Sequence, residues 1–123
     1  MEGQNIKNAV NKLKECLDDN REVKNEKEMK NVLKELLINE NLRQELKEKL
    51  KDKDVEDLMV KETRKTVENE KTGKFFKETL QEFRKDENLR KVLKEIVNDE
   101  EMEGFFKKTL DGTVPFWLIK RFI

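Results

Sequence analysis

The chain has 123 residues, of which 34% are apolar and 46% charged, and its 28 basic side chains balance 28 acidic ones. That length fits one domain with a modest core, and the charge balance argues against a general polyanion binder, so nucleic acid is not an expected partner. The sequence holds no His, Tyr or Ser, which excludes Ser/His triads, zinc sites of the usual Cys/His type and Glu-x-x-His di-iron centres.

The first predicted helix runs from about Asn5 to Asp18. Ile6, Ala9, Val10, Leu13, Cys16 and Leu17 recur at i, i+3, i+4 and i+7, the spacing of one helix face. Cys16 is the single cysteine. Its place on this stripe predicts a buried small hydrophobe rather than a reactive thiol. Without a second cysteine there is no intrachain disulfide, so a reducing intracellular compartment, cytoplasmic or mitochondrial, is expected. No apolar run near the N-terminus resembles a signal peptide, and Glu2, Glu15, Asp18 and Asp19 precede the first arginine, Arg21, which makes a poor cleavable presequence.

After a polar link at Arg21–Asn25 a short repeat begins. Met29, Val32/Leu33 and Leu36/Leu37 form one copy, Leu42, Leu46 and Leu50 a second, and Val55 with Leu58/Met59 a weaker third. The second half repeats the pattern with Phe76, Leu80 and Phe83, then Leu89, Val92/Leu93 and Ile96/Val97, then Met102, Phe105/Phe106 and Leu110. Met29, Leu42 and Val55 stand 13 residues apart, as do Phe76, Leu89 and Met102. In one unbroken helix, 13 residues would leave each stripe about 140° away from the last. Short helices reversed by turns let every stripe face inward. Asn39, Asp86 and Asn98-Asp99 precede new units, and Asn and Asp favour N-caps. Asn25…Glu28 and Asn98…Glu101 have capping-box-like spacing. No Pro or Gly enforces a break at Asn39 or Asp86, so two longer, bent helices are the competing arrangement.

Lys61–Lys74 is poor in apolar residues and contains Thr72-Gly73, which predicts a helix tail followed by a loop. Lys71-Thr72-Gly73-Lys74 lacks the full phosphate-loop pattern and is also read as loop. Elements of Gly73-Lys74-Phe75-Phe76-Lys77-Glu78-Thr79-Leu80 recur in Gly104-Phe105-Phe106-Lys107-Lys108-Thr109-Leu110. Together with the 13-residue units they indicate an internal duplication relating 26–59 to 74–110. Asp111-Gly112-Thr113 is the expected turn after the last helix.

The organisation expected is therefore all-α: a compact array of short amphipathic antiparallel helices, a helical bundle, over 1–113, followed by an apolar C-terminal tail over 114–123. The tail reads Val114-Pro115-Phe116-Trp117-Leu118-Ile119-Lys120-Arg121-Phe122-Ile123 and holds the single Trp and the single Pro.

No catalytic, cofactor-binding or metal-ligating set emerges. The carboxylates lie mostly between the apolar stripes, beside lysines, as a solvated face requires. Asp52, Asp54 and Asp57 lack the central Gly and terminal Glu of a calcium loop and allow at most a weak surface cation site. An exposed aromatic tail on so charged a protein marks an interaction site. Phe116, Trp117, Leu118, Ile119, Lys120, Arg121, Phe122 and Ile123 are therefore the expected partner-binding residues, and folding of the tail back onto the bundle is the competing outcome. Lys120 and Arg121 beside aromatics would also suit peripheral membrane contact.

The run from Asp86 to Met102, Asp-Glu-Asn-Leu-Arg-Lys-Val-Leu-Lys-Glu-Ile-Val-Asn-Asp-Glu-Glu-Met, resembles short-helix repeats of two kinds. One is the paired-helix module of stress-inducible co-chaperones, which cradles apolar peptides. The other is the small helical accessory subunit of protist mitochondrial complexes. The resemblance covers about 26–59 and 74–110, and Glu stands where both kinds usually place Pro after the acid. No functional residue carries over from it. The function expected is a non-catalytic accessory or scaffold subunit of a larger assembly that binds other protein subunits, docking through the tail. The alternative is a peptide-binding adaptor with a groove between short helices lined by Leu89, Leu93, Phe105 and Phe106, and nucleic-acid binding is a less favoured third.

Overall fold

The computed structural model describes residues 4–110 and Arg121. Among them are seven α-helices and no strand: α1 (Gln4–Glu15), α2 (Glu26–Ile38), α3 (Glu40–Leu50), α4 (Lys53–Glu68), α5 (Glu70–Lys85), α6 (Glu87–Val97) and α7 (Glu100–Leu110). The 13-residue rhythm is thus a rhythm of separate short helices, and the two-long-helix arrangement is excluded.

The breaks are made by polar side chains. Asn39 ends α2 by donating its backbone N–H to the Glu35 carbonyl at 2.8 Å. The same residue starts α3, its side chain accepting from the Leu42 N–H at 3.2 Å. Asp86 does likewise between α5 and α6. Its N–H donates to the Phe83 carbonyl, and its carboxylate accepts from the N–H groups of Asn88 and Leu89 at 2.9 and 3.1 Å. Asn25 caps α2 through the Glu28 N–H, at the predicted spacing. Each such cap contributes roughly 1 kcal/mol. At the last joint the expected cap shifts by one residue. Asn98 closes α6, donating its side-chain amide to the Lys94 carbonyl, and Asp99 accepts from the Glu101 N–H to open α7.

Two expectations are corrected. First, Thr72-Gly73 is helical. Asn69 is a one-residue joint whose side chain accepts from the Thr72 N–H at 3.1 Å, so α5 starts at Glu70 and Lys71–Lys74 lies in its first turns. Glycine is needed at 73 for proximity rather than for a turn, because a Cβ there would lie 2.7 Å from the Val67 carbonyl oxygen of α4. Second, α1 stops at Glu15, short of Asp18. Residues after it reverse direction, with Leu17 and Val23 forming an isolated antiparallel bridge.

Arg21 holds that reversal in place. It adopts φ 62°, a left-handed conformation that costs a non-glycine residue roughly 1–2 kcal/mol. Asp18 supports the turn by accepting from the N–H groups of Asn20 and Glu22. The Arg21 guanidinium donates to Glu62 Oε2 at 2.6 Å and Thr66 Oγ1 at 3.2 Å on α4, and its carbonyl accepts the Thr72 hydroxyl of α5 at 2.5 Å. One strained residue therefore fastens the α1–α2 link to two later helices. A carboxylate from afar also starts α1: Glu45 of α3 accepts the Ile6 N–H at 2.9 Å, where an anion suits the positive helix end.

The core has two linked centres. Cys16, Met29 and Phe75 form one, with Leu13, Leu17, Val23, Leu33 and Phe76 around them. Phe83, Leu89 and Leu93 form the other, packed by Leu33, Leu37 and Leu80. Leu33 belongs to both. In packing order α2 lies against α1, α3 and α6, α5 against α4 and α6, and α7 against α4 and α6. The weak third copy does not aim wholly inward, since Leu58 of α4 is 60% exposed. No helix among the described residues is long and apolar enough to cross a membrane.

Candidate functional site

Apolar stripes from five helices do not close completely on one another. Between α2, α3, α5, α6 and α7 they leave a cavity of about 520 Å³, within the range of ligand-binding clefts. The walls follow from helical spacing. Leu33, Leu36 and Leu37 come from α2; Phe76, Leu80 and Phe83 from α5; Met102, Phe105 and Phe106 from α7. Each trio spans no more than two turns of one face. Leu42 and Leu46 of α3 and Leu93 and Ile96 of α6 complete the lining. On α7 the Phe105 and Phe106 rings lie 6.0 Å apart in a tilted arrangement. On α5 the Phe75 and Phe76 rings meet edge to face at 5.7 Å. Phe75 is buried and Phe76 half-buried, so the pair divides between core and cavity.

Charge crosses the cavity in two places. Arg43 and Lys47, one turn apart on α3, oppose Glu95 of α6 and Asp99 of the following joint, and all four line the cavity. Lys47 pairs closely with Asp99, and Arg43 Nη1 lies 3.9 Å from Glu95. The Lys47 hydrogen bond holds the Asp99 carboxyl below the usual carboxylate range, helped by the N–H groups of Glu101 and Met102 against the opposing effect of burial.

Two polar atoms in this lining have no hydrogen-bond partner among the described residues: Arg43 Nε and Thr79 Oγ1. Both are buried, and an unpaired buried polar group is costly. Thr79 is 2% exposed. Thr109, which holds the same place in the recurring Gly–Phe–Phe–Lys–Thr–Leu elements, folds its hydroxyl back onto the Phe105 carbonyl at 3.0 Å. Thr66 does the same with Glu62. Thr79 does not, and its buried hydroxyl has no partner among the described residues. The arrangement offers an apolar bed flanked by the Arg43–Glu95 and Lys47–Asp99 pairs.

Of the groove predicted from sequence, Leu93, Phe105 and Phe106 are on the walls. Leu89 is not: it is buried in the cluster with Phe83 and Leu93. The expected tail site at Phe116, Trp117, Leu118, Ile119, Lys120, Phe122 and Ile123 lies outside the described residues, as does the turn at 111–113. Arg121 is helical and exposed. Cys16 is buried, and desolvation, reinforced by Glu28 and Glu15, pushes its thiol pKa up. The Asp52 carboxylate is engaged as the α4 cap, accepting from Asp54 and Val55. Among the described residues no cluster of three or more metal-ligating side chains is found. Sequence reading missed the α2 wall, Arg43 and Thr79. The unlike surroundings of Thr79 and Thr109 are a tertiary property, although the repeated motif does flag the pair.

Comparison with protein-family models, curated proteins and solved structures gives no match to this chain. The short-helix resemblance therefore stands on its residue pattern alone.

Proposed function

We propose that the protein is a non-catalytic interaction part, an adaptor or accessory subunit, that receives the apolar face of a partner protein's amphipathic helix in the groove between α2, α3, α5, α6 and α7. One observation carries this reading: a cavity of about 520 Å³ lined by leucines, phenylalanines, Ile96 and Met102. Apolar walls built from helices are suited to a helix laid in a groove, read through anchors at i, i+3, i+4 and i+7. The mixed charges of the rim suit a partner with acid and base flanking its apolar stripe.

Titrating labelled amphipathic helical peptides into the full chain tests the reading. Saturable binding that weakens at least tenfold in Leu46→Glu, with helicity retained, is the expected result. Equal binding by the wild type and Leu46→Glu would overturn it. A second reading places the contact on Phe116–Ile123, favoured by the concentration of apolar residues in that segment. In that case removing the segment, rather than altering Leu46, abolishes partner binding.

A further inference from the structure

We infer that the groove has a resident occupant, the chain's own segment Val114–Ile119, which lies in it in cis and must be displaced by the partner helix. This rests on the groove reading above.

The observations come from both sides of the contact. α7 ends at Leu110, and its Phe105 and Phe106, about one turn earlier, are part of the cavity wall. The chain that follows therefore sets out from the groove's own edge. Residues 111–113, Asp-Gly-Thr, supply a link of up to about 10 Å when extended, and Gly112 permits a reversal. Next come Val114, Pro115, Phe116, Trp117, Leu118 and Ile119, six residues without a charge in a chain that is 46% charged. Left in water they would form an apolar patch out of keeping with the rest of the surface. The only charges in 114–123 are Lys120 and Arg121, both positive. On the rim, the carboxylates of Glu40, Glu95 and Asp99 outnumber Arg43 and Lys47. Arg121 is exposed, as a basic residue following a docked apolar segment should be. Proline removes one backbone donor that would need a partner inside an apolar cavity.

The sequence supplies its own probe. With one Trp and no Tyr, selectively excited fluorescence of the full chain reports on Trp117 alone. The expected result is a blue-shifted emission and several-fold weaker quenching by iodide than for a free peptide of residues 111–123, both unchanged on dilution. Leu46→Glu and Ile96→Glu, on facing walls, should move the emission to the red and restore quenching with helicity retained. Leu58→Glu, at an exposed position on α4, should change neither. Quenching equal to the free peptide's overturns the inference without reference to any variant's folding. Burial of Trp117 that is lost on dilution overturns it in favour of a second copy. Burial that neither groove variant alters, or that Leu58→Glu alters, overturns it by placing the segment elsewhere. The two readings fail separately. An exposed Trp117 with peptide still binding removes the cis occupant and keeps the groove. A groove-buried Trp117 in a chain whose Phe116→Ala/Trp117→Ala variant binds no peptide keeps the occupant and removes the partner site.

Discussion

Thr72 and Thr79 lie two turns apart on α5, and both are almost completely buried, at 1% and 2% exposed. Their hydroxyls meet opposite fates. Thr72 donates to the Arg21 carbonyl at 2.5 Å, whereas Thr79 finds no partner among the described residues. Replacing each with Val changes a hydroxyl to a methyl in the same helix, with nearly equal helix propensity. At Thr72 the change leaves the carbonyl of a strained residue without this donor, a loss of about 1–3 kcal/mol. At Thr79 it relieves an unpaired polar atom, so stability should hold or rise by up to about 1 kcal/mol. At roughly 2.1 cal/mol/K per residue, a chain of 123 residues unfolds with an entropy of about 0.26 kcal/mol/K, so 1 kcal/mol moves Tm by about 4 °C. Thr72→Val should therefore melt about 4–12 °C lower than the parent, and Thr79→Val between about 0 and 4 °C higher. Circular dichroism melts, checked by urea titrations with unchanged slope, measure both. Equal losses at the two positions would refute the reasoning, because they would mean that the Thr79 hydroxyl is bonded.

The two helical glycines should respond with opposite sign to alanine. Gly104→Ala adds a Cβ with nothing within 4 Å and should gain up to about 1 kcal/mol of helix propensity. Gly73→Ala places its Cβ against the Val67 carbonyl and should lose about 1 kcal/mol net, the overpacking cost exceeding the propensity gain; thermal melts of both variants decide. Acid should weaken the fold through Asp99 and Glu62, which hydrogen bonds from Lys47 and Arg21 respectively hold below their ordinary pKa. Depressed folded-state values mean that the unfolded chain takes up protons first. The stabilisation is thus complete above the ordinary carboxylate range near about pH 4 and is lost as pH falls through the lowered values. Asp99→Asn keeps a residue able to cap α7, so its Tm should lie below the parent's at neutral pH and approach it in acid. Parallel Tm–pH curves would show that Asp99 has no such linkage.

The local part of this fold was legible because it is written in local interactions. Asn25, Asn39 and Asp86 each cap through a side chain reaching two or three residues ahead, and the apolar spacing between them is helical. Asn69 was missed because Thr72-Gly73 looks like a turn. Only the approach of α5 to the Val67 carbonyl explains a glycine inside a helix. Arg21 gave no sign of a left-handed backbone, since what holds it comes from Glu62, Thr66 and Thr72, more than forty positions away. The groove was half visible. Leu93, Phe105 and Phe106 were recognisable as apolar residues on adjacent short helices. The opposing wall at Leu33, Leu36 and Leu37 was not, because periodicity says which residues share a face and not which faces meet. Leu89 shows the converse failure, a residue on the right face that packing draws into the core.

Asn39, Asn69 and Asp86 each end one helix and begin the next. A joint of one residue has no slack. A residue inserted there separates the backbone that closes the first helix from the side chain that opens the second. A residue inserted within a helix turns everything after it by about 100° and carries the stripe away from its neighbours. The stretch from Glu26 to Leu110 should therefore resist the single-residue insertions and deletions that looped proteins absorb. It can change length without strain only by gaining or losing a whole helix together with its joint, so the unit of growth in this chain is the helix rather than the residue.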